Sequence, residues 1–127
     1  MILNDIVTCL TGDASVNSYL TGGLKHNHLN VNADKTKNWI VFSWNKTSSE
    51  DVITQKDALS HYDLLIQYIS PTDTTSLNMA EAMYNHLLSY DDGYIRDLRL
   101  IDDEEISYDF EKQVWFKTDV YDILYTK

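Results

Sequence analysis

YDLLIQY, residues 62–68, decides the fold, because every second side chain in it is large and apolar. Successive side chains of a β-strand point to opposite faces, so the pattern predicts a strand with one buried face. We expect this strand to run from Ala58 to Ile69 and to be closed by Pro71, the only proline. The predicted buried face consists of Tyr62, Leu64, Ile66 and Tyr68, and the other face of His61, Asp63, Leu65 and Gln67.

The segment before this strand predicts a second strand. Residues 39–44, WIVFSW, form a compact apolar run rich in residues that favour strands. Residues 45–57 are polar and have no apolar period, which predicts a flexible loop joining two antiparallel strands. Residues 24–38 are also polar, and we expect a short extended piece followed by a loop.

Apolar residues at helical spacing predict a first helix over residues 2–10. Asp13 is placed to cap a short second helical turn, which Gly22 and Gly23 would end. The apolar residues of that turn are Val16, Tyr19 and Leu20.

A longer helix is predicted over residues 75–89, with Asp73, Thr74 or Thr75 as its cap. Glu81 and Asn85 are expected on its polar side. Its predicted apolar stripe consists of Leu77, Ala80, Tyr84, Leu87 and Leu88.

After a turn at residues 91–93, the chain returns to β structure. A strand is predicted from Tyr94 to Ile101, then an acidic turn over Asp102 to Glu105. A final β region is predicted from Ile106 to Tyr125, broken near Lys112. The sequence therefore predicts one α+β domain over residues 1–127, with an antiparallel or mixed sheet packed against two helices in the order α-β-β-α-β-β.

The final strand carries large apolar side chains on both faces. Val114, Phe116 and Val120 are predicted to face the core. A neighbouring subunit would then cover the other face, since Trp and Tyr are enriched in interfaces. The alternative is a curled sheet in which Trp115 packs within its own chain. The predicted interface residues are Trp115, Tyr121, Ile123 and Tyr125.

Charge argues against two classes of partner. The 127 residues include 20 acidic and 10 basic side chains, for a net charge of −10. Tight nucleic-acid binding needs lysine and arginine to displace counterions from phosphates, and no basic stripe is present. Anionic membrane surfaces are disfavoured for the same reason, and no segment approaches the ~18 apolar residues of a membrane span. No signal peptide is visible, and the acidic balance fits a soluble protein.

The sequence contains neither the nucleophile elbow G-x-S-x-G nor the phosphate-binding loops G-x-x-x-x-G-K-[ST] and G-x-G-x-x-G. His26 and His28 could share a face and contribute to a metal site, but a solvated polar loop is the favoured interpretation. Cys9 lies among apolar residues, which predicts a small buried side chain. The acidic residues 102–105 lack the spacing of a calcium loop and fit a solvated turn; the alternative is a repulsive or salt-sensitive surface in an assembly. We therefore expect no enzyme activity, cofactor or metal.

The order of elements resembles the tail-terminator, or tail-completion, proteins of long-tailed bacteriophages. The run Trp39-Ile40-Val41-Phe42 is similar to the family's first core strand. The strand at residues 62–68 precedes a helix containing Met79-Ala80-Glu81-Ala82, as in the family. The segments at residues 108–111 and 115–120 resemble its closing β-hairpin. Residues 24–38 are longer and more polar than the resemblance implies, and residues 45–57 form a sizeable loop.

The resemblance implies a structural protein of the virion, located in its tail or neck and made in the host cytoplasm. Such proteins form a ring, commonly of six subunits, that caps the tail tube and ends its growth. The ring would contact the tail tube protein and a neck or head-completion protein, and genomic DNA would pass through its lumen without specific binding. The alternatives are another head–tail joining protein and a non-viral protein-binding adaptor domain.

Overall fold

The computed structural model describes residues 2–30, 32–50 and 59–126. This part of the chain contains three helices and six strands, so the α+β class is confirmed. The predicted order α-β-β-α-β-β has one helix and two strands fewer. The elements are α1 (Ile2–Leu10), α2 (Ala14–Tyr19), β1 (Gly23–His26), β2 (Trp39–Glu50), β3 (Leu59–Ser70), α3 (Asp73–Leu87), β4 (Ile95–Asp103), β5 (Ser107–Asp109) and β6 (Val114–Thr126).

The strands form one mixed sheet. Its order is β1-β2-β3-β6-β4, and β5 also pairs with β6. Only β1 and β2 run parallel among the described pairs; the rest are antiparallel. Because β3 pairs with β6 along its whole length, β4 and β5 share the opposite edge of β6. The chain thus places β3 and β6, of 12 and 13 residues, at the centre.

Strand β2 is longer than the sequence predicts. It continues through residues 45–50, where a flexible loop was expected, so that part of the loop prediction is wrong. The extension is held by pairing with β3, with a register shift between Lys46 and Ser48. Backbone hydrogen bonding to a neighbour can therefore maintain a strand whose own side chains show no apolar alternation. Residues 51–58, which include the predicted first residue of β3, lie outside the described residues.

The N-terminal helices form as predicted. Helix α1 buries Ile6, Cys9 and Leu10 on one face. Asp13 caps α2, because its carboxylate accepts a hydrogen bond from the Val16 amide at 3.2 Å. A cap of this kind satisfies an amide that the first helical turn leaves without an intrahelical partner.

Helix α3 begins one residue earlier than the predicted caps allow, and it presents a different face to the sheet. Thr72, not Asp73, is its N-cap and accepts from the Thr75 amide at 3.4 Å. Three members of the predicted stripe, Leu77, Tyr84 and Leu88, are 43%, 39% and 66% exposed. The face that packs on the sheet consists of Ser76, Met79, Ala80, Met83 and Leu87. The stripe prediction is therefore wrong at three positions.

The two faces of β6 are separated as predicted, but their roles are reversed. Tyr121, Ile123 and Tyr125 are buried beneath the helices in the main core. Val114, on the other face, joins Trp39, Val41 and Ile69 in a second, smaller cluster. Alternation along a strand separates its faces but does not show which face the helices will cover. The assignment of Val114, Phe116 and Val120 to the main core is therefore wrong.

Candidate assembly surfaces

Of the four predicted interface residues, Trp115 alone keeps substantial exposure. Tyr121, Ile123 and Tyr125 are 1%, 0% and 4% exposed in the single chain, so another subunit cannot reach them without unfolding. Trp115 is half-buried and lies at the start of β6, where it pairs with Ser70 just before α3. The Ser76 hydroxyl, near the start of α3, donates to the Trp115 carbonyl at 3.4 Å.

Trp115 belongs to a row of three aromatic side chains on the β5–β6 hairpin, here called the aromatic row. The ring centroids of Tyr108 and Trp115 are 5.0 Å apart, and those of Tyr108 and Phe110 are 4.9 Å apart. Both pairs meet edge to face, a favourable geometry for aromatic rings. Phe110, at the outer end, is 84% exposed. The aromatic row is thus a structured apolar surface open to solvent.

A pocket of about 280 Å³ lies on the sheet face that carries the second cluster; we call it the lysine-rimmed pocket. Its floor is apolar, and the Trp39 indole N–H is held by the Asp34 carbonyl oxygen at 2.9 Å. Lys35 and Lys112 lie on the rim, together with Glu111 and Asn30. The floor residues are Leu29, Ala33, Trp39, Ile69 and Val114. The predicted polar segment of residues 24–38 therefore contributes two apolar side chains, Leu29 and Ala33, to a concave site.

A second groove, of about 270 Å³, lies between α3 and β4. Its α3 wall includes Tyr84 and Leu88, two of the residues that the sheet leaves uncovered. Leu98 and Leu100 of β4 form the opposite wall, and Tyr121 is also in the lining. Of the predicted apolar stripe of α3, Ala80 and Leu87 therefore lie in the core, and Tyr84 and Leu88 line this groove.

A buried ion cluster lies beside the groove. The Lys117 ammonium donates to Asp119 at 2.6 Å and also contacts Asp103. Burial raises the pKa of Asp119, whereas the hydrogen bond from Lys117 lowers that of Asp103. Burial acts to lower the pKa of Lys117, but the two carboxylates outweigh it and the pKa is raised. Lys117 therefore remains charged at neutral pH.

The acidic turn predicted at residues 102–105 is only partly correct. Asp102 and Asp103 belong to β4 and pair with Val120 and Asp119 of β6. Asp103 is tied to Lys117 instead of being free in solvent. Strand formation here follows from pairing with a long central neighbour, which local charge does not reveal.

His26, which was considered as a metal ligand, and Cys9 both pack against other side chains of the fold. The His26 ring stacks on Trp44, with centroids 4.5 Å apart. Cys9 is buried as predicted, and burial raises the pKa of its thiol to about 12, so it stays protonated. Within residues 2–30, 32–50 and 59–126, no three histidine, cysteine or carboxylate side chains are grouped to hold a metal ion. In the same ranges, no helix has the length and apolar character needed to cross a membrane.

Neither the known protein families nor the curated proteins contain a match to this sequence. Among solved structures, the fold is similar to that of a chain described as "Virion of native gene transfer agent (GTA) particle". The TM-score is 0.68, the sequence identity is 12%, and the likeness covers 96% of this chain and 92% of the other. The likeness therefore extends over the whole fold and not over one motif.

Proposed function

We propose that the chain is a structural protein of a phage-like particle, and that it forms a ring that caps the tail tube and joins it to the neck. The observation that carries the proposal is the fold, shared from end to end with a chain of a gene transfer agent virion. Localisation to the virion follows from the same likeness. The resemblance of the strand and helix segments to tail-terminator proteins supports the specific position in the particle.

The surfaces of the molecule support assembly as its activity. In the aromatic row the Phe110 side chain is 84% exposed, although removing such an apolar side chain from water is favourable in free energy. Large exposed apolar groups surrounded by polar surface are typical of contact sites between proteins. A subunit that contacts copies of itself and two other particle proteins needs several contact surfaces. The described residues form three candidates: the aromatic row, the lysine-rimmed pocket and the groove between α3 and β4.

The charge of the chain supports a role as a conduit. A net charge of −10 repels the phosphate backbone, so DNA moving through a ring of such subunits would not be retained. A ring that bound DNA tightly would instead obstruct its passage. We therefore propose that the lumen guides DNA without specific contacts and that the protein has no catalytic activity.

Electron microscopy of the purified protein, and of the protein mixed with tail tubes, tests this proposal. We expect a closed ring of one discrete size, commonly six subunits, located at the end of the tube. Native mass spectrometry gives the subunit number independently. A chain that stays monomeric at high concentration and never binds tubes would contradict the proposal.

A second position in the particle is compatible with the fold likeness, because the similar chain is described only as part of a virion. A head–tail joining protein of the neck would also form a ring but would bind the head-completion side. If the ring is absent from tail tubes but present in the necks of particles, this alternative is favoured.

A further inference from the structure

Two surfaces of the chain are complementary in shape and charge. The first is the lysine-rimmed pocket. The second is residues 101–104 at the end of β4, here called the acidic ridge. Ile101 projects there with 52% exposure, because the pairing of β4 with β6 passes directly from Leu100 to Asp102. A bulge of this kind leaves one residue unpaired and redirects its side chain.

The charges on the two surfaces are opposite and uncompensated. Asp102 and Glu104 of the ridge are exposed and have no ion-pair partner in the described part of the chain. Lys35 and Lys112 of the pocket are likewise exposed and unpaired among those residues. With Glu111, the pocket rim carries two positive charges and one negative, a local net charge of +1. A positive rim is notable on a chain of net charge −10.

The acidic ridge of one copy cannot reach the lysine-rimmed pocket of the same copy. The pocket reaches β6 at Val114, whereas the ridge lies beside Val120 and Asp119 on the outer edge of the sheet. Six residues of strand separate Val114 from Val120, roughly 20 Å at the rise of a β-strand. The occupant must therefore come from another molecule.

We infer that a second copy of this chain is that occupant: its Ile101 enters the lysine-rimmed pocket, and its Asp102 and Glu104 pair with Lys35 and Lys112. The pocket, at about 280 Å³, is larger than an isoleucine side chain. The contact joins two different surfaces, so it is heterologous: the copy that supplies the pocket keeps a free ridge, and the copy that supplies the ridge keeps a free pocket. Repetition of a heterologous contact closes a ring when the rotation permits. The inference thus rests on the proposed ring and names its subunit contact.

Charge reversal tests the contact with two double variants. Lys35→Glu with Lys112→Glu makes the pocket rim acidic, and Asp102→Lys with Glu104→Lys makes the ridge basic. Each variant alone should assemble at least ~10-fold more weakly than the unmodified protein, because like charges then meet across the contact. An equimolar mixture of the two should assemble again, since each acidic ridge finds a basic pocket and each basic ridge an acidic pocket.

Native mass spectrometry of the mixture should show alternating rings with equal numbers of the two variants. Lys46→Glu, an exposed reversal on β2 away from both surfaces, is the matched control and should assemble normally. Circular dichroism confirms that every variant is folded. Normal rings from both double variants, or a mixture no better than its components, would overturn the contact while leaving the proposed function intact. An unmodified protein that forms no ring would overturn both.

Discussion

Lys117 and Asp119, two residues apart on β6, form an ion pair beneath α3, with 2.6 Å between Nζ and Oδ1. Their side chains are 8% and 4% exposed, so water cannot replace either partner. Alternate residues of a strand share a face, so this face of β6 changes from charged to apolar at Tyr121. The pair places two charges at the end of an otherwise apolar core.

Removal of one charge from this pair should destabilise the fold strongly. Lys117→Met leaves the buried Asp119 carboxyl without its cation, and we expect a loss of about 3–5 kcal/mol in the free energy of unfolding. Urea denaturation followed by tryptophan fluorescence measures this loss. The double variant Lys117→Met with Asp119→Leu should recover most of it, because no buried charge then remains. Equal stability of Lys117→Met and the unmodified protein would contradict the buried pair.

Alkaline pH should destabilise the protein partly through Cys9. The pKa of its thiol is about 12 in the folded chain against an ordinary value of 9.0. Between these values the unfolded chain loses the thiol proton and the folded chain keeps it, so stability falls as pH rises from 9 to 12. Burial also raises the pKa values of Tyr68 and Tyr121, which adds to the same trend.

The contribution of Cys9 can be isolated by substitution. Cys9→Val removes the ionisable group, and the fall in stability above pH 9 should become less steep by up to about 1.4 kcal/mol per pH unit. The measurement is urea denaturation at a series of pH values. Identical slopes for the two proteins would show that the folded thiol ionises normally.

Core and surface positions of α3 can be compared directly. Met83 is fully buried, and Met83→Ala should cost about 2–5 kcal/mol of stability. Leu88 is 66% exposed in the groove beside β4, and Leu88→Ala should change stability by less than about 0.5 kcal/mol. Thermal unfolding of both variants measures the difference. A larger loss of stability for Leu88→Ala than for Met83→Ala would favour the stripe predicted from the sequence.

The error on α3 has a physical cause. The prediction placed Leu77, Tyr84 and Leu88 in the buried stripe, because their side chains are larger and more apolar than that of Ser76. Ser76 is buried instead, and its small side chain lets the helix lie close enough to the sheet for a hydrogen bond to β6. The flexible side chains of Met79 and Met83 fill the remaining space. Neither requirement is visible in one sequence without the partner surface.

Segments with their own local signal were predicted well. Helix α1, the Asp13 cap, the turn at residues 91–93 and the buried face of β3 all follow from periodicity or capping chemistry. The extension of β2 and the pairing of Asp103 depend on neighbouring strands and were missed. The lysine-rimmed pocket was missed for the same reason, because its lining comes from distant parts of the chain.

Gly22 lies against the floor of that pocket. A Cβ atom at this position would overlap the Trp39 indole and lie 2.8 Å from the Asn38 carbonyl oxygen. Gly22→Ala should therefore displace Trp39 and cost about 1–3 kcal/mol, as overpacking does elsewhere. Lys37→Ala, in the loop before Trp39, is a suitable control, because Lys37 is exposed and its substitution should change stability by less than about 0.5 kcal/mol. Similar unfolding temperatures for both variants would contradict the close approach.

Phe110 allows assembly to be tested apart from folding. It is 84% exposed and contacts Tyr108 at the outer end of the aromatic row, so Phe110→Ser should change stability by less than about 0.5 kcal/mol. If the row contacts another particle protein or subunit, the same substitution should weaken assembly about 10-fold or more, since buried aromatic anchors dominate such contacts.

Trp115→Ala should weaken assembly as well, but it also lowers stability because its side chain is half-buried. Tyr94→Ser, a 54% exposed aromatic on another edge, is the control. Mass photometry with circular dichroism on each variant separates the two effects, and normal assembly of Phe110→Ser would remove the row from the interface.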